Sequence, residues 1–175
     1  MFKKMLFLFI VAATVLSCDS DDDLALVPTV QINEFIYGPM NARSNTAIGY
    51  NDNFDVVGNG VVQTSVILGD SNFEVDGNDD FTGRGFAVNL DFYSTSNLPL
   101  PDGRYDITST RDAGTATVTF NEDFDTTSPR INNTSLDKGT LAIETSNGRT
   151  LLEIIGTDVN GDRFYGVYAG RITMP

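Results

Sequence analysis

Residues 84–93 read Arg84-Gly85-Phe86-Ala87-Val88-Asn89-Leu90-Asp91-Phe92-Tyr93, and they decide the fold class. Phe86, Val88, Leu90 and Phe92 recur at every second position, with Ala87, Asn89, Asp91 and Tyr93 between them. Successive side chains of a strand point to opposite faces, so this pattern predicts a strand with one face in a core and one in water. A helix needs apolar residues at i, i+3, i+4 and i+7, and no window after residue 28 combines that spacing with a cap.

The same alternation extends in both directions. Downstream, Tyr105 and Ile107 are the inward candidates of a strand over 104–109, and Ala116, Val118 and Phe120 share a face over 114–120. The C-terminal third predicts a meander over 139–145, 149–157 and 162–173. Asn147-Gly148 and Asn160-Gly161 separate its strands, and each pair suits a two-residue type I′ turn. Leu141, Ile143, Leu152, Ile154, Phe164, Tyr168 and Ile172 should then share one interior. Gly166 and Gly170 fall on that inward face; glycine weakens a strand unless something packs closely over it, so aromatic rings are expected across both.

Upstream, the pattern predicts strands over 30–37, 47–50, 54–57, 61–68 and 73–75. Gly58-Asn59-Gly60 supplies a hairpin, and residues 38–45 and 121–137 read as loops. Leu98-Pro99-Leu100-Pro101 cannot continue a ladder, because proline has no N–H to donate. Nine or ten short, near-evenly spaced strands point to an all-β chain. The preferred architecture is an antiparallel β-sandwich, and the alternative is a small closed β-barrel, calycin-like.

The first residues carry a different message. Lys3 and Lys4 precede an apolar run from Met5 to Leu16, too short to cross a bilayer and of the length of a secretory h-region. The run ends Leu16-Ser17-Cys18, which resembles the lipobox of bacterial lipoproteins. That resemblance implies cleavage before Cys18, a diacylglycerol on its sulfur and an acyl chain on its new amino terminus. One acyl chain binds a membrane marginally, and each buried methylene adds about 0.8 kcal/mol, so three chains hold it essentially permanently. Ser20-Asp21-Asp22-Asp23 resembles the acidic export signal of Bacteroidetes surface lipoproteins, which directs a protein to the outer leaflet. The expected organisation is a signal peptide over 1–17, a lipidated acidic tether over 18–28 and a single all-β domain over 29–175. Over residues 86–172, Leu98-Pro99, Gly103-Arg104-Tyr105, Gly114-Thr115, Gly139-Thr140-Leu141, Asp158-Val159-Asn160-Gly161 and Tyr168-Ala169-Gly170 resemble the pattern of small uncharacterised Bacteroidetes lipoproteins. That likeness implies no known activity.

Composition narrows the chemistry. Loss of Lys3 and Lys4 with the signal leaves nine of the 11 basic residues against 24 acidic ones, a net charge near −15. Nucleic acid and anionic headgroups are repelled by such a chain, because phosphate contacts rest on Lys and Arg. With no histidine, Ser-His-Asp and Cys-His pairs and imidazole metal sites are excluded. The single cysteine is Cys18; once acylated, it leaves no thiol for catalysis, disulfides or clusters.

What remains is carboxylate, Lys, Tyr and Ser/Thr chemistry. Asp158-Val159-Asn160-Gly161-Asp162 resembles the start of a calcium loop, but Arg163 stands where an EF-hand needs glycine and Ala169 where it needs glutamate, so a hairpin turn is the better reading. Asp76-Gly77-Asn78-Asp79-Asp80, with Asp70 nearby, offers several oxygen ligands in one polar turn. Tyr37, Tyr50, Tyr93 and Tyr165 are candidate exposed aromatics for stacking on a sugar. Asp125-Thr126-Thr127 resembles the O-glycosylation acceptor of Bacteroidetes exported proteins, and Asn132-Asn133-Thr134 matches the N-glycosylation pattern. No catalytic residue, metal site or cofactor stands out.

The expected protein is therefore a lipid-anchored outer-membrane β domain at the cell surface, a non-catalytic binding or structural module contacting a glycan, a peptide or another envelope protein. The alternatives are a calycin-like barrel holding a small apolar ligand and, behind it, a carboxylate-based hydrolase. Palmitate fed to cells expressing the chain should label it, and Cys18→Ala should abolish the label. A labelled Cys18→Ala protein would sink the anchor.

Overall fold

The computed structural model describes residues 29–55, 58, 60–128 and 133–174. Cys18 and the run from Ser20 to Asp23 lie outside the described residues. The fold is all-β. Its strands are β1 (Glu34–Tyr37), β2 (Met40–Arg43), β3 (Thr46–Asp55), β4 (Val62–Gly69), β5 (Phe73–Val75) and β6 (Phe81–Ser94). They continue with β7 (Gly103–Ile107), β8 (Thr115–Asp125), β9 (Thr134–Ser146), β10 (Arg149–Asp158) and β11 (Arg163–Gly170). They form one sheet in the order β2-β1-β11-β10-β9-β7-β8-β6-β4-β3, with β5 paired to β6 off this path.

The sheet is curled, and its core shows how far. On the path, β1 and β11 are separated from β8 and β6 by three strands or more. Yet Phe120 of β8 meets Phe164 of β11 at 4.8 Å between ring centroids and Tyr37 of β1 at 4.6 Å. Phe35 of β1 likewise meets Phe86 of β6 at 5.8 Å. Such contacts require the sheet to fold back until its halves face each other, as the layers of a sandwich do. Phe86, Val88, Leu90 and Phe92 all join this core, as the alternation predicted, and so do Leu141, Ile143, Leu152, Ile154, Phe164 and Tyr168.

Two local devices permit the curl. β7 wedges between β8 and β9: Gly103 to Ile107 pair with β9 at Gly139 to Ile143, while Thr134 and Ser135 of β9 pair directly with β8. Gly139 sits at the fork with φ +149°, where a Cβ would collide with the carbonyl of Ile155. The other device is the chain after β11, which crosses to the edge strand β3. Gly49 N–H donates to the Thr173 carbonyl at 2.7 Å and Thr173 N–H to that of Ala47 at 3.2 Å. Ile172 and Met174 lie where a side chain on Gly49 would be, so the tail covers an edge that would otherwise pair with another chain.

Several expectations change. The sheet is one continuous curled surface of eleven strands, and β7–β8 is parallel within an otherwise antiparallel set. Residues 38–45 contain β2, paired with β1 across Gly38 at φ +53°. The segments 47–50 and 54–57 belong to one strand, β3, as far as Asp55; residues 56–57 lie outside the described residues. The expected loop over 121–137 shrinks, because β8 runs on to Asp125 and β9 starts at Thr134, with Leu136 in the core. Apart from Phe124, Leu136 and the buried Asn121, the described residues here are polar and partly or fully exposed, so the period-two apolar alternation that marks a half-buried strand is missing there. Asn147 and Gly148 both have positive φ, as a type I′ turn requires, whereas at the next hairpin only Gly161 does. There Gly161 N–H donates to the Asp158 carbonyl and Asp158 N–H to that of Asp162, a type I turn with a glycine bulge.

Aromatic rings do cover the inward glycines. Phe35 lies over Gly166, and the Tyr168 ring turns over Gly170 to donate to the Arg171 carbonyl at 2.7 Å. Gly166→Val should push Phe35 out of the seam and destabilise the fold by about 3 kcal/mol. Gly77→Ala, whose Cβ meets nothing within 4 Å, should stay within about 0.5 kcal/mol. Urea midpoints of the two variants check this.

Candidate functional site

Because β6 alternates, its second face is presented outward, and that face carries a concavity lined by amides, a hydroxyl and apolar side chains. Asn89 pairs with Ile67 of β4 on one side and Thr119 of β8 on the other, forming one row across three strands. Ala87 and Asn121 form the next row. With Phe120, Phe124 and Asn133 they line a groove of about 240 Å³. Ala87 and Asn121 are buried at its floor, so Ala87 does not face water as its place in the alternation predicted. Tyr93, at the far end of the same face, is buried too.

A bulge shapes the groove. The pairing of β6 with β8 slips between Gly85 and Ala87, so β8 has an extra residue there; such slips re-aim side chains beside functional sites. Asn121 serves the slip and the groove together. Its Oδ1 accepts the Asp123 N–H at 2.8 Å, and its Nδ2 donates to Asn133 Oδ1 at 3.2 Å. Asp70 steadies the other side, its Oδ2 accepting the Phe86 N–H at 2.9 Å. Phe124 stands near Phe73, 6.2 Å between centroids.

A polar strip continues from the groove along the sheet. Asn89 Nδ2 approaches Asp91 Oδ2 at 3.4 Å, Ser65 Oγ donates to Asp91 Oδ1 at 2.5 Å, and Gln63 Nε2 donates to Ser65 Oγ at 3.1 Å. From Ala87 to Tyr93 a strand advances about 20 Å. The surface thus offers amides and hydroxyls that both donate and accept, beside apolar patches at Ile67, Ala87 and Phe124.

The carboxylates named from the sequence are turn-builders here. Asp158 Oδ1 accepts the N–H groups of Asn160 and Asp162 at 2.9 and 2.8 Å. Its Oδ2 accepts the Tyr37 hydroxyl at 2.9 Å and Asn160 Nδ2 at 3.0 Å. Both oxygens are thus committed within the fold, and the hairpin reading stands. Asp76 Oδ1 likewise accepts from Asn78 and Asp80 N–H at 2.7 and 3.1 Å. Among the described residues, no group of three His, Cys, Asp or Glu side chains is placed to hold a metal ion. Of the four tyrosines, Tyr93 and Tyr165 are buried, Tyr37 is half-buried against Phe120, and Tyr50 is exposed. The aromatics at the groove are instead Phe120, which is buried, and the half-buried Phe124. Thr126 Oγ1 is tied to the N–H and carbonyl of Gly83, while Thr127 is exposed and donates to Asp125. Asn132 lies outside the described residues.

Ionisation follows these bonds. Burial would raise the Asp158 carboxyl, but the Asp162 N–H, the Tyr37 hydroxyl and the Asn160 donors together hold it below the usual carboxylate range. Tyr37 is pushed up to about 12, first by burial and then by its bond to Asp158. Glu34 is held low by the Gln31 N–H and the Asn41 amide, and Asp123 by Arg84.

No protein-family model, curated protein or solved structure matches this chain.

The Tyr37–Asp158 pair predicts pH dependence at both ends. Asp158 titrates lower folded than unfolded, so its contribution is present above about pH 4 and is lost as pH falls further. Tyr37 titrates higher folded, so its contribution is complete below about pH 10 and disappears as pH rises toward 12. Burial also raises Tyr93, Tyr105 and Tyr168, so the informative quantity is the difference from Tyr37→Phe. That variant should be less stable at neutral pH and lose less between pH 10 and 12. Urea midpoints across pH with parallel curves for the two proteins would refute the pairing.

Proposed function

We propose that this chain is a lipid-anchored module, held in the outer membrane through Cys18 and displayed at the cell surface, that binds a neutral glycan without catalysing a reaction. The groove at Asn89, Thr119 and Asn133, floored by the internally bonded Asn121, carries the reading. A sugar ring presents hydroxyls that need partners able both to donate and to accept, and amides and hydroxyls supply both. Its C–H faces need apolar contact, which Ile67, Ala87 and Phe124 offer. At about 240 Å³ the groove lies below the usual range for drug-sized ligands and suits a single ring, with the polar strip to Gln63 receiving its neighbours.

The competing readings have less support. A calycin-like binder keeps its ligand in the barrel, but here Phe35, Tyr37, Phe86, Phe120 and Phe164 make ring contacts across the interior. A carboxylate hydrolase uses an acid raised toward neutrality, whereas Glu34, Asp76, Asp123, Asp125 and Asp158 are all shifted toward the charged form.

Screening the full chain in detergent micelles against arrayed neutral oligosaccharides tests the proposal. At least one class should be retained, and Asn89→Leu should weaken that retention roughly tenfold, about 1.4 kcal/mol. Circular dichroism should show the variant folded. Retention equal to wild type, or no retained glycan while an envelope protein is captured through this face, would reject the glycan reading.

A further inference from the structure

We infer that the outer face of the meander carries a second site, for an anionic saccharide such as a uronate. In register across β9, β10 and β11, Lys138 and Arg163 flank Thr157 in a single row. The next row holds Ile155, and Tyr165 opposite it on β11. These residues, with Gly139 and Gly156, line an open groove of about 320 Å³. The lack of a side chain on Gly139, at the fork of the sheet, contributes to its depth.

Three observations point to an anion. The first is charge: only nine basic residues follow Cys18 against 24 acidic ones, yet two of the nine line this groove and no carboxylate does. Asp137 and Asp162 adjoin the cations in sequence, but among the described residues neither Lys138 nor Arg163 forms an ion pair. Arg163 Nη1 meets only the Tyr165 hydroxyl, at 3.5 Å. The second is Thr157 itself, whose Oγ1 is buried and has no hydrogen-bond partner among the described residues. A buried hydroxyl without a partner costs free energy, and rotation about χ1 would turn it into the groove, between the strands that carry the two cations, to donate to an oxyanion. The third is Ile155, 53% exposed on the same wall. A bare phosphate or sulfate would not use it, whereas a sugar ring bearing a carboxylate would.

This site lies on different strands from the amide groove and stands without it. Exposed charges are screened by salt, so binding should be weak and salt-dependent. The test is titration of the full chain, in detergent micelles, with trigalacturonate and with neutral galactotriose, followed by amide chemical shifts. Trigalacturonate should shift Ile155 and Thr157 rather than Asn89 and Thr119, and should bind several-fold more weakly at physiological than at low salt. The double variant K138Q/R163Q should lose roughly tenfold in affinity. Thr157→Val should bind a few-fold more weakly yet melt no earlier than wild type, because its hydroxyl has no bond to lose. Galactotriose shifting the same amides with equal affinity would overturn the inference, as would wild-type affinity in the double variant. A hexaglutamate peptide binding this groove as tightly as trigalacturonate would also overturn it, by making the ligand class an acidic peptide.

Discussion

Everything in this molecule depends on a seam of aromatic rings that keeps one long sheet bent back on itself. Phe35, Phe164, Phe120 and Tyr37 stand in contact across the interior, and Phe35 can reach its place only because Gly166 has no side chain. The chain has no disulfide with which to staple this shape, since its only cysteine is Cys18. Apolar burial and ring packing must therefore hold the curl. The bond from Tyr37 to Asp158 extends the seam outward, fastening the β10–β11 hairpin to β1.

A filled interior leaves the outside as the accessible surface. The inward residues of the curled sheet are committed to packing, so the proposed binding falls to the alternate residues and to the places where the pleat is disturbed. The two grooves lie at two such disturbances: the slip between β6 and β8, and the fork at Gly139 where β7 enters. Their chemistry differs because their rows differ. One gathers amides and hydroxyls, the other cations and an unpartnered hydroxyl. The exposed Arg84–Asp123 pair, at 2.7 Å, adds little to stability by comparison, being open to water on both partners.

The inward face of the fold was legible in the sequence because period-two alternation is a local signal that burial on one side imposes. Phe86 to Phe92, Ala116 to Phe120, and Leu141 to Ile154 could be assigned to a core without knowing their partners. The outward face was half legible. Asn89 and Asp91 could be placed on it, but Thr119, Asn121, Asn133 and Phe124 come beside Asn89 only through the pairing of β6 with β8. No spacing along the chain encodes that neighbourhood.

By itself, the sequence determined the all-β class, the inward residues, the Asn147-Gly148 hairpin and the need for rings over Gly166 and Gly170, since each follows from contacts between near neighbours or from the backbone freedom of one residue. The tertiary structure alone decided that a single sheet curls through a fork, that β7 and β8 run parallel, and which outward residues share a groove. Those depend on pairings between segments far apart along the chain, and the strength of such a pairing is set by two sequences meeting in space.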